Sequence, residues 1–423
     1  MKTAIKKSNF FIITFLAGLI LSSINVFGQI DVHKPITVEL IELTKSHPEI
    51  KTLLDESLEK AKSVNPDIVT NPAQNWELYL DYIDNASELI PQQVLEVPAV
   101  LIRDQILQSI CYFYFLIDQP LTELEDKGYY NNTLQYYPPL SKWLVKFADE
   151  WGRFLDTEAS WSSKSYKQFY DDPQFGLQAG WYESPSNWKT FNQFFAKYLR
   201  DPGERPIGCK DDPSVVVSPA DSEPQGVWTI DDNSEINFGE GVTVKLARYF
   251  NVNDLLAEDS KYKDDFANGL LTHTFLNVFD YHRYHFAVGG TVKEKKIIQK
   301  NVALEVTWSE EEGKYIPIDS EGWQFTQTRG YVIMETEKYG LVALIPMGMA
   351  QVSSVNFEDN VQLGSTHKKG DMLGNFLFGG SDFIILFQEK AGFEITAQQQ
   401  EDKKSYKHIL MGVKYGVMRG QDK

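Results

Sequence analysis

From Ile36 to Ser63, in "ITVELIELTKSHPEIKTLLDESLEKAKS", apolar residues return every three or four positions with Glu and Lys between them. That period predicts amphipathic helix. "AVLIRDQILQSICYFYFLI" (99–117) predicts a buried helix, and "PLSKWLVKFADEWGRFL" (139–155) a shorter amphipathic one opened by Pro139. From 156 to 193 the chain is dense in aromatics and turn residues. It reads as a packed irregular segment, with a pocket for an aromatic or otherwise apolar substrate as the alternative. Past residue 200 the pattern changes. "DPSVVVSPADSEPQGVWTI", "GVTVKLARYF", "KNVALEVTW", "RGYVIMETEKYGLVALIPMG" and "SDFIILFQ" are short, rich in β-branched and aromatic residues, and separated by Gly, Pro and Asp turns. Helices first and strands second predict an α+β chain, with a boundary between 185 and 200.

Composition adds little to this and charge adds more. The 423 residues are 42% hydrophobic and 24% charged, an ordinary globular balance for one or two domains. The formal net charge of −18 opposes binding to phosphate backbones, so nucleic acid is not expected as a partner. It also weakens docking on anionic lipid through a basic patch. At the N-terminus Lys2, Lys6 and Lys7 precede the apolar run "FFIITFLAGLILSS", and "VFGQ" follows. This reads as a signal peptide over 1–28, cut after Gly28, which implies a periplasmic or secreted protein. An uncleaved signal would make it a membrane anchor. Cys111 and Cys209 are too few and too distant for a disulfide framework, and Cys111 reads as a packed helical thiol.

Histidine is scarce, and two of the seven lie close together in "NVFDYHRYHFAVGG": His282 and His285. They read as half-buried strand-end residues, as metal ligands, or as bases serving a nucleophile elsewhere. No third and fourth ligand at convincing spacing presents itself, so no metal is expected.

Four segments then come in order: "FFAKYLRDPGERPI" (194–207), "VVSPADSEP" with Asp221, "DYHRYHF", and "KKGDMLGNFLFGGSDFIILF". Together they resemble the phosphatidylserine decarboxylase family. Its members carry FF-x-R-x-L-x-PG-x-RPI, a PADG aspartate, DYHR-x-H, and a Lys-Gly turn followed by a GGST or LGST cleavage segment. The resemblance covers roughly 190–390. The region before it, 29–190, is similar to the extra N-terminal region of the L-tryptophan decarboxylase branch. The domains implied are a helical region over 29–190 and a decarboxylase domain over 191–423, self-cleaving between Gly380 and Ser381. Lys369-Gly370 precedes Gly380-Ser381 by the family's interval. The "LGST" at Ser365 lies before that turn and reads as a plain turn.

The resemblance implies the chemistry. Ser381, activated by His285 with Asp221 orienting it, attacks the Gly380 carbonyl. Elimination and hydrolysis then leave a pyruvoyl group, derived from Ser381, at the head of a short C-terminal chain. That ketone forms a Schiff base with an amine and serves as electron sink when CO2 leaves. His282 is a candidate to return the proton. The substrate is phosphatidylserine by family default, or a soluble aromatic amino acid such as L-tryptophan. The partners implied are that amino-acid or aminophospholipid substrate and the protein's own cleaved N-terminal chain, with peripheral membrane contact and a homo-oligomer left open. Four positions depart from the family pattern. Asp382 follows the cut serine where Thr or Ser is usual, Ser222 replaces the PADG glycine, Ala287 stands in the region of an expected Pro, and "QTRGYVIMET" keeps only Arg329 of an Asn-Glu-Arg segment. A carboxylate at 382 either repels the developing oxyanion or points to solvent. The rival readings are an exported relative that never cleaves and acts as a binding module, and a serine hydrolase using Ser381, His285 and Asp221 without a G-x-S-x-G elbow.

Overall fold

A computed structural model describes residues 32–91, 102–236, 250–318, 320, 322–349, 354–378, 380–401 and 405–420. The expected signal segment, and all of "GVTVKLARYF" except Phe250, lie outside the described residues. The rest is helical first and β-rich second, the α+β class expected. The chain forms two compact units: Met1–Phe154 with Leu304–Ile318, and Leu155–Ala303 with Asp319–Lys423.

In the first unit, the apolar period across Ile36–Ser63 is carried by two helices, Pro35–Ser46 and Pro48–Val64. Pro48 lacks an amide hydrogen and its ring drives the preceding residue out of the helical region, so His47 stands at φ −133° and ψ 77° between them. Leu40, Ile50, Leu54 and Leu58 form their buried faces. Three more helices follow: Trp76–Ala86, Ile102–Phe115 and Leu140–Leu155. A hairpin of Glu305–Ser309 and Lys314–Ile318 returns to this unit from far along the chain. Its anchor is the Gln108 side chain, which donates to the Tyr315 carbonyl at 2.7 Å and accepts the Tyr315 amide at 2.8 Å. Cys111 is buried, and burial pushes its thiol up to about 12. Cys209 is exposed and both cysteines are free.

The second unit is organised by an antiparallel sheet of seven strands: β1 Glu223–Thr229, β2 Leu270–Leu276, β3 Gly290–Ile298, β4 Thr328–Glu335, β5 Leu341–Met349, β6 Thr366–His367 and β7 Gly380–Phe387. Their spatial order is β6-β3-β4-β5-β7-β2-β1, which puts β7 inside the sheet between β5 and β2. Both faces are covered, so the strands read as near-continuous apolar runs. Phe383, Ile385 and Phe387 enter one core with Tyr284, Phe286 and Phe376. Ile384 and Leu386 enter the other with Tyr331, Ile345 and Met347. A smaller sheet of Val355–Phe357, Met372–Phe376 and Arg283–His285 lies against the first core, where Tyr284 meets Phe383 with ring centroids 5.7 Å apart. The aromatic stretch that leads into this unit packs on itself. Trp161 stacks on Phe194 at 4.7 Å, Phe169 meets Phe194 at 4.5 Å, and the Phe191 amide donates to Ser160 Oγ. For these residues the packing reading holds.

Candidate active site

The period of two along β7 decides what Ser381 and Asp382 can touch. Ser381 pairs across to Gly348 on β5 and Leu276 on β2, and its side chain points to the core that contains Tyr284 and Phe286. It is fully buried, and its Oγ makes no hydrogen bond. A buried hydroxyl without a partner costs free energy and needs an explanation.

His285 is at the end of the strand Arg283–His285 and is 6% exposed. Its Nδ1 donates to the carbonyl of Gly370 at 2.9 Å, which leaves Nε2 as the acceptor. The Tyr281 hydroxyl donates to that Nε2 over a long 3.4 Å. Burial pushes the imidazole down to about 4, against the pull of the Gly370 carbonyl and the negative charge of Asp221. At neutral pH His285 is therefore an uncharged base.

The carbonyl that orients it belongs to the Lys-Gly turn. Gly370 sits at φ +87°, a region that favours glycine. The turn is pinned by Lys369, whose ammonium donates to the carbonyls of Cys209, Asp212 and Val215.

Asp221 is buried but does not bond to His285. Arg205 of the "ERPI" segment takes it in a two-pronged pair, Nε at 3.0 Å and Nη2 at 2.6 Å, and the Met411 amide donates to Oδ1 at 2.7 Å. The expected triad thus has a different wiring: Gly370 orients His285, and Asp221 reaches it only through charge. Arg205 lies over the Trp181 ring, 4.7 Å from its centroid.

His282 is fully buried. Its Nδ1 donates to the Asp280 carbonyl at 2.9 Å, its Nε2 has no partner, and the Phe195 ring covers it with centroids 3.9 Å apart. Burial first, and the Lys197 charge second, hold it well below the usual histidine range. Phe195 also meets Phe378, with ring centroids 5.3 Å apart. Asp280 itself is paired with His408 Nε2 at 2.8 Å.

The model of the family "Phosphatidylserine decarboxylase" matches residues 191–417, more than half of the chain and the span that holds Asp221, His282, His285 and Ser381. The chain belongs to the phosphatidylserine decarboxylase family. It is 29% identical over 297 residues to a phosphatidylserine decarboxylase proenzyme of Fusobacterium nucleatum subsp. nucleatum, covering 66% of this chain and 89% of that protein. It is 32% identical over 233 residues to phosphatidylserine decarboxylase proenzyme 2 of Oryza sativa subsp. japonica, 55% of this chain and 34% of the relative. With decarboxylase iboD of Amanita muscaria it shares 26% over 283 residues, 60% and 78% of the two chains. As a member of the family the chain is an enzyme, a carboxy-lyase.

Family membership gives the departure at residue 382 its meaning. Asp382 does not point to solvent: the alternation of the strand turns it to the face of the sheet opposite Ser381. There it is buried and accepts from His273 Nε2 at 2.8 Å, a residue on the neighbouring β2. The "LGST" serine is also accounted for. Gly364, at φ +81°, opens a tight turn, and Ser365 Oγ lies 2.6 Å from the Gln362 carbonyl and 2.7 Å from His367 Nε2. Sequence reasoning missed Tyr281 and Gly370 as partners of His285, Arg205 as the partner of Asp221, and His273 as the partner of Asp382 on the other face of the sheet. Arg205 and Gly370 stood inside the quoted motifs, where their match to the family pattern was the available signal.

Proposed function

We propose that this decarboxylase activates itself by cutting between Gly380 and Ser381, and that Ser381 becomes its pyruvoyl group. The observation that carries this is the fully buried Ser381 Oγ without a hydrogen-bond partner, at the head of an interior strand and after two glycines. A hydroxyl kept out of the hydrogen-bond network keeps its lone pairs for a carbonyl carbon.

In this reading His285 Nε2 takes the Ser381 proton while the Gly370 carbonyl holds the ring in the Nδ1–H form. Asp221, its charge held by Arg205, favours the imidazolium that forms, which burial alone would disfavour. Oγ bonds to the Gly380 carbonyl carbon, and the Gly380–Ser381 C–N bond breaks. Loss of the Ser381 α-proton then expels the upstream chain as a carboxylate and leaves a dehydroalanine, whose imine tautomer takes up water and releases ammonia to give the ketone. The group supplies an electron sink for the pair left behind by departing CO2. His282, with Nε2 bare, is placed in the role of moving a proton at the substrate's α-carbon.

The substrate is an amino-acid-type carboxylate. Aromatic rings gather around the charged groups, with Tyr182 stacked on Tyr281 and Phe195 between His282 and Phe378. With the net charge of −18 they favour a soluble aromatic amino acid over phosphatidylserine in an anionic bilayer. Export through residues 1–28 is part of the proposal, read out by the N-terminus of the mature protein.

A denaturing gel with intact mass tests the cut. The wild-type chain is expected to yield a short fragment beginning at residue 381 with a blocked N-terminus, Ser365→Ala the same, and Ser381→Ala a single chain. An uncut wild-type chain would overturn the proposal in favour of a binding module. Release of CO2 from L-tryptophan and from phosphatidylserine vesicles, measured side by side, decides the substrate.

A further inference from the structure

The segment 408–411 lies past Ser381 in the chain and holds both buried carboxylates of the site. Ile409 exchanges two backbone hydrogen bonds with Ser222, at 2.8 and 2.9 Å, and the Met411 amide donates to Asp221 Oδ1 at 2.7 Å. His408 adjoins that bridge. Its Nε2 donates to Asp280 Oδ1 at 2.8 Å, and its side chain is 35% exposed where that of Asp280 is 4%.

Each polar group of Asp280 has a partner. Its amide donates to the Asn277 carbonyl at 2.9 Å, Oδ2 accepts the Asn277 amide at 2.8 Å, Oδ1 accepts from His408, and its carbonyl accepts from His282 Nδ1 at 2.9 Å. Asn277 belongs to the same turn, so His408 is the grip from outside it. Burial pushes the Asp280 carboxyl up, and the hydrogen bond from His408 is the largest influence against that. The same hydrogen bond raises His408 above the usual histidine value, and the charges of Asp221 and Glu223 add to it. A buried carboxylate stripped of such a partner takes a proton or turns toward water, and its own backbone is free to move with it.

The carbonyl matters because the partner of one imidazole nitrogen decides which nitrogen carries the proton. With Nδ1–H held on Asp280, His282 exchanges protons through Nε2. In the reading above, Nε2 takes a proton from water and gives it to the substrate's α-carbon. There it forms the C–H bond with the electron pair left by CO2, and the ring returns to its neutral Nδ1–H form.

We propose that His408 is a positioning residue for decarboxylation: through Asp280 it fixes the carbonyl that keeps His282 in its Nδ1–H form. This deepens the decarboxylase reading and rests on it. His408 acts in this role without touching the reacting atoms. After cutting it belongs to the short chain, and Asp280 and His282 to the long one.

The test separates the hydrogen bond from the bulk of the ring. His408→Ala removes the donor, and His408→Gln keeps an N–H donor of similar reach. On the Ser381→Ala chain, NMR of the His282 ring nitrogens reads the tautomer. His408→Ala is expected to bring an Nε2–H form to about a tenth of the ring population or more, and His408→Gln to restore the single Nδ1–H form. On chains that retain Ser381, CO2 release from L-tryptophan and from phosphatidylserine vesicles is measured per mole of cut chain. His408→Ala is expected to lower kcat about tenfold or more with KM within about threefold, and His408→Gln to recover most of the loss. An unmoved tautomer in His408→Ala would overturn the proposal. So would an unchanged kcat in that variant, or a Gln variant that behaves like Ala while its thermal unfolding matches wild type. Failure of the decarboxylase reading is separate: the wild-type chain would then show no fragment beginning at 381, whatever the tautomer of His282.

Discussion

The His273–Asp382 pair offers a sharp perturbation, because one partner is the residue that departs from its family. Asp382 is 1% exposed and His273 7%, and their atoms are 2.8 Å apart. For an ionised pair at that distance the attraction is about 6 kcal/mol at an effective dielectric near 20. Desolvating both groups removes a large part of it, and cutting one partner away leaves an uncompensated buried charge at a cost of about 3–5 kcal/mol. His273→Val and Asp382→Thr are therefore each expected to lose several kcal/mol. The joint change of His273→Val with Asp382→Thr is expected to recover most of it, since removing both ionisable groups together leaves no buried charge uncompensated. Urea unfolding on the Ser381→Ala background measures all four corners of the cycle with the same covalent chain. On the Ser381 background every variant that folds is expected to cut, because the pair is on the face of the sheet away from Ser381. Additive single costs in the double variant, or a loss of cutting in folded Asp382→Thr, would refute the reasoning.

Two further outcomes follow from the wiring of His285. Gly370→Ala would place a Cβ 2.4 Å from Ile207 Cδ1 at φ +87°, a strain of about 1–3 kcal/mol, and would shift the carbonyl that holds Nδ1. Cutting is expected to slow at least tenfold, read as fragment appearing over time. His285, lowered from 6.5 to about 4 chiefly by burial, binds its proton in the unfolded chain before the folded one. Its contribution is present above pH 6.5 and is lost as pH falls through 4, roughly 3 kcal/mol in all. His285→Gln on the Ser381→Ala background should flatten the stability curve across that window, as urea midpoints will record.

Much of this was legible before any coordinates. The change from a period of three and four to short β-branched runs marked the fold class, and four motifs in order marked the family to which the chain belongs. What escaped was long-range. The Arg205–Asp221 pair spans 16 residues and the His273–Asp382 pair 109, and neither leaves a periodic trace. Sequence could spell the aspartate of a triad but not that an arginine already occupies it. The break at His47 was available in Pro48, whose backbone rule outweighs an unbroken apolar stripe. The return of Glu305–Ile318 to the helical unit was not available, because the hairpin reads like any other.

The position of β7 has a consequence for the life of the molecule after cutting. The residues from Ser381 onward supply an interior strand of the large sheet, and farther along Phe393–Ile395 and Lys414–Met418 form a second sheet with Val215–Val217. A break before Ser381 would therefore leave two polypeptides laced through one another by backbone ladders on both sides. Neither could depart without dismantling the enzyme. Such a protein could not trade its short chain with a neighbour without unfolding: each folded molecule would keep the reactive end it made for itself.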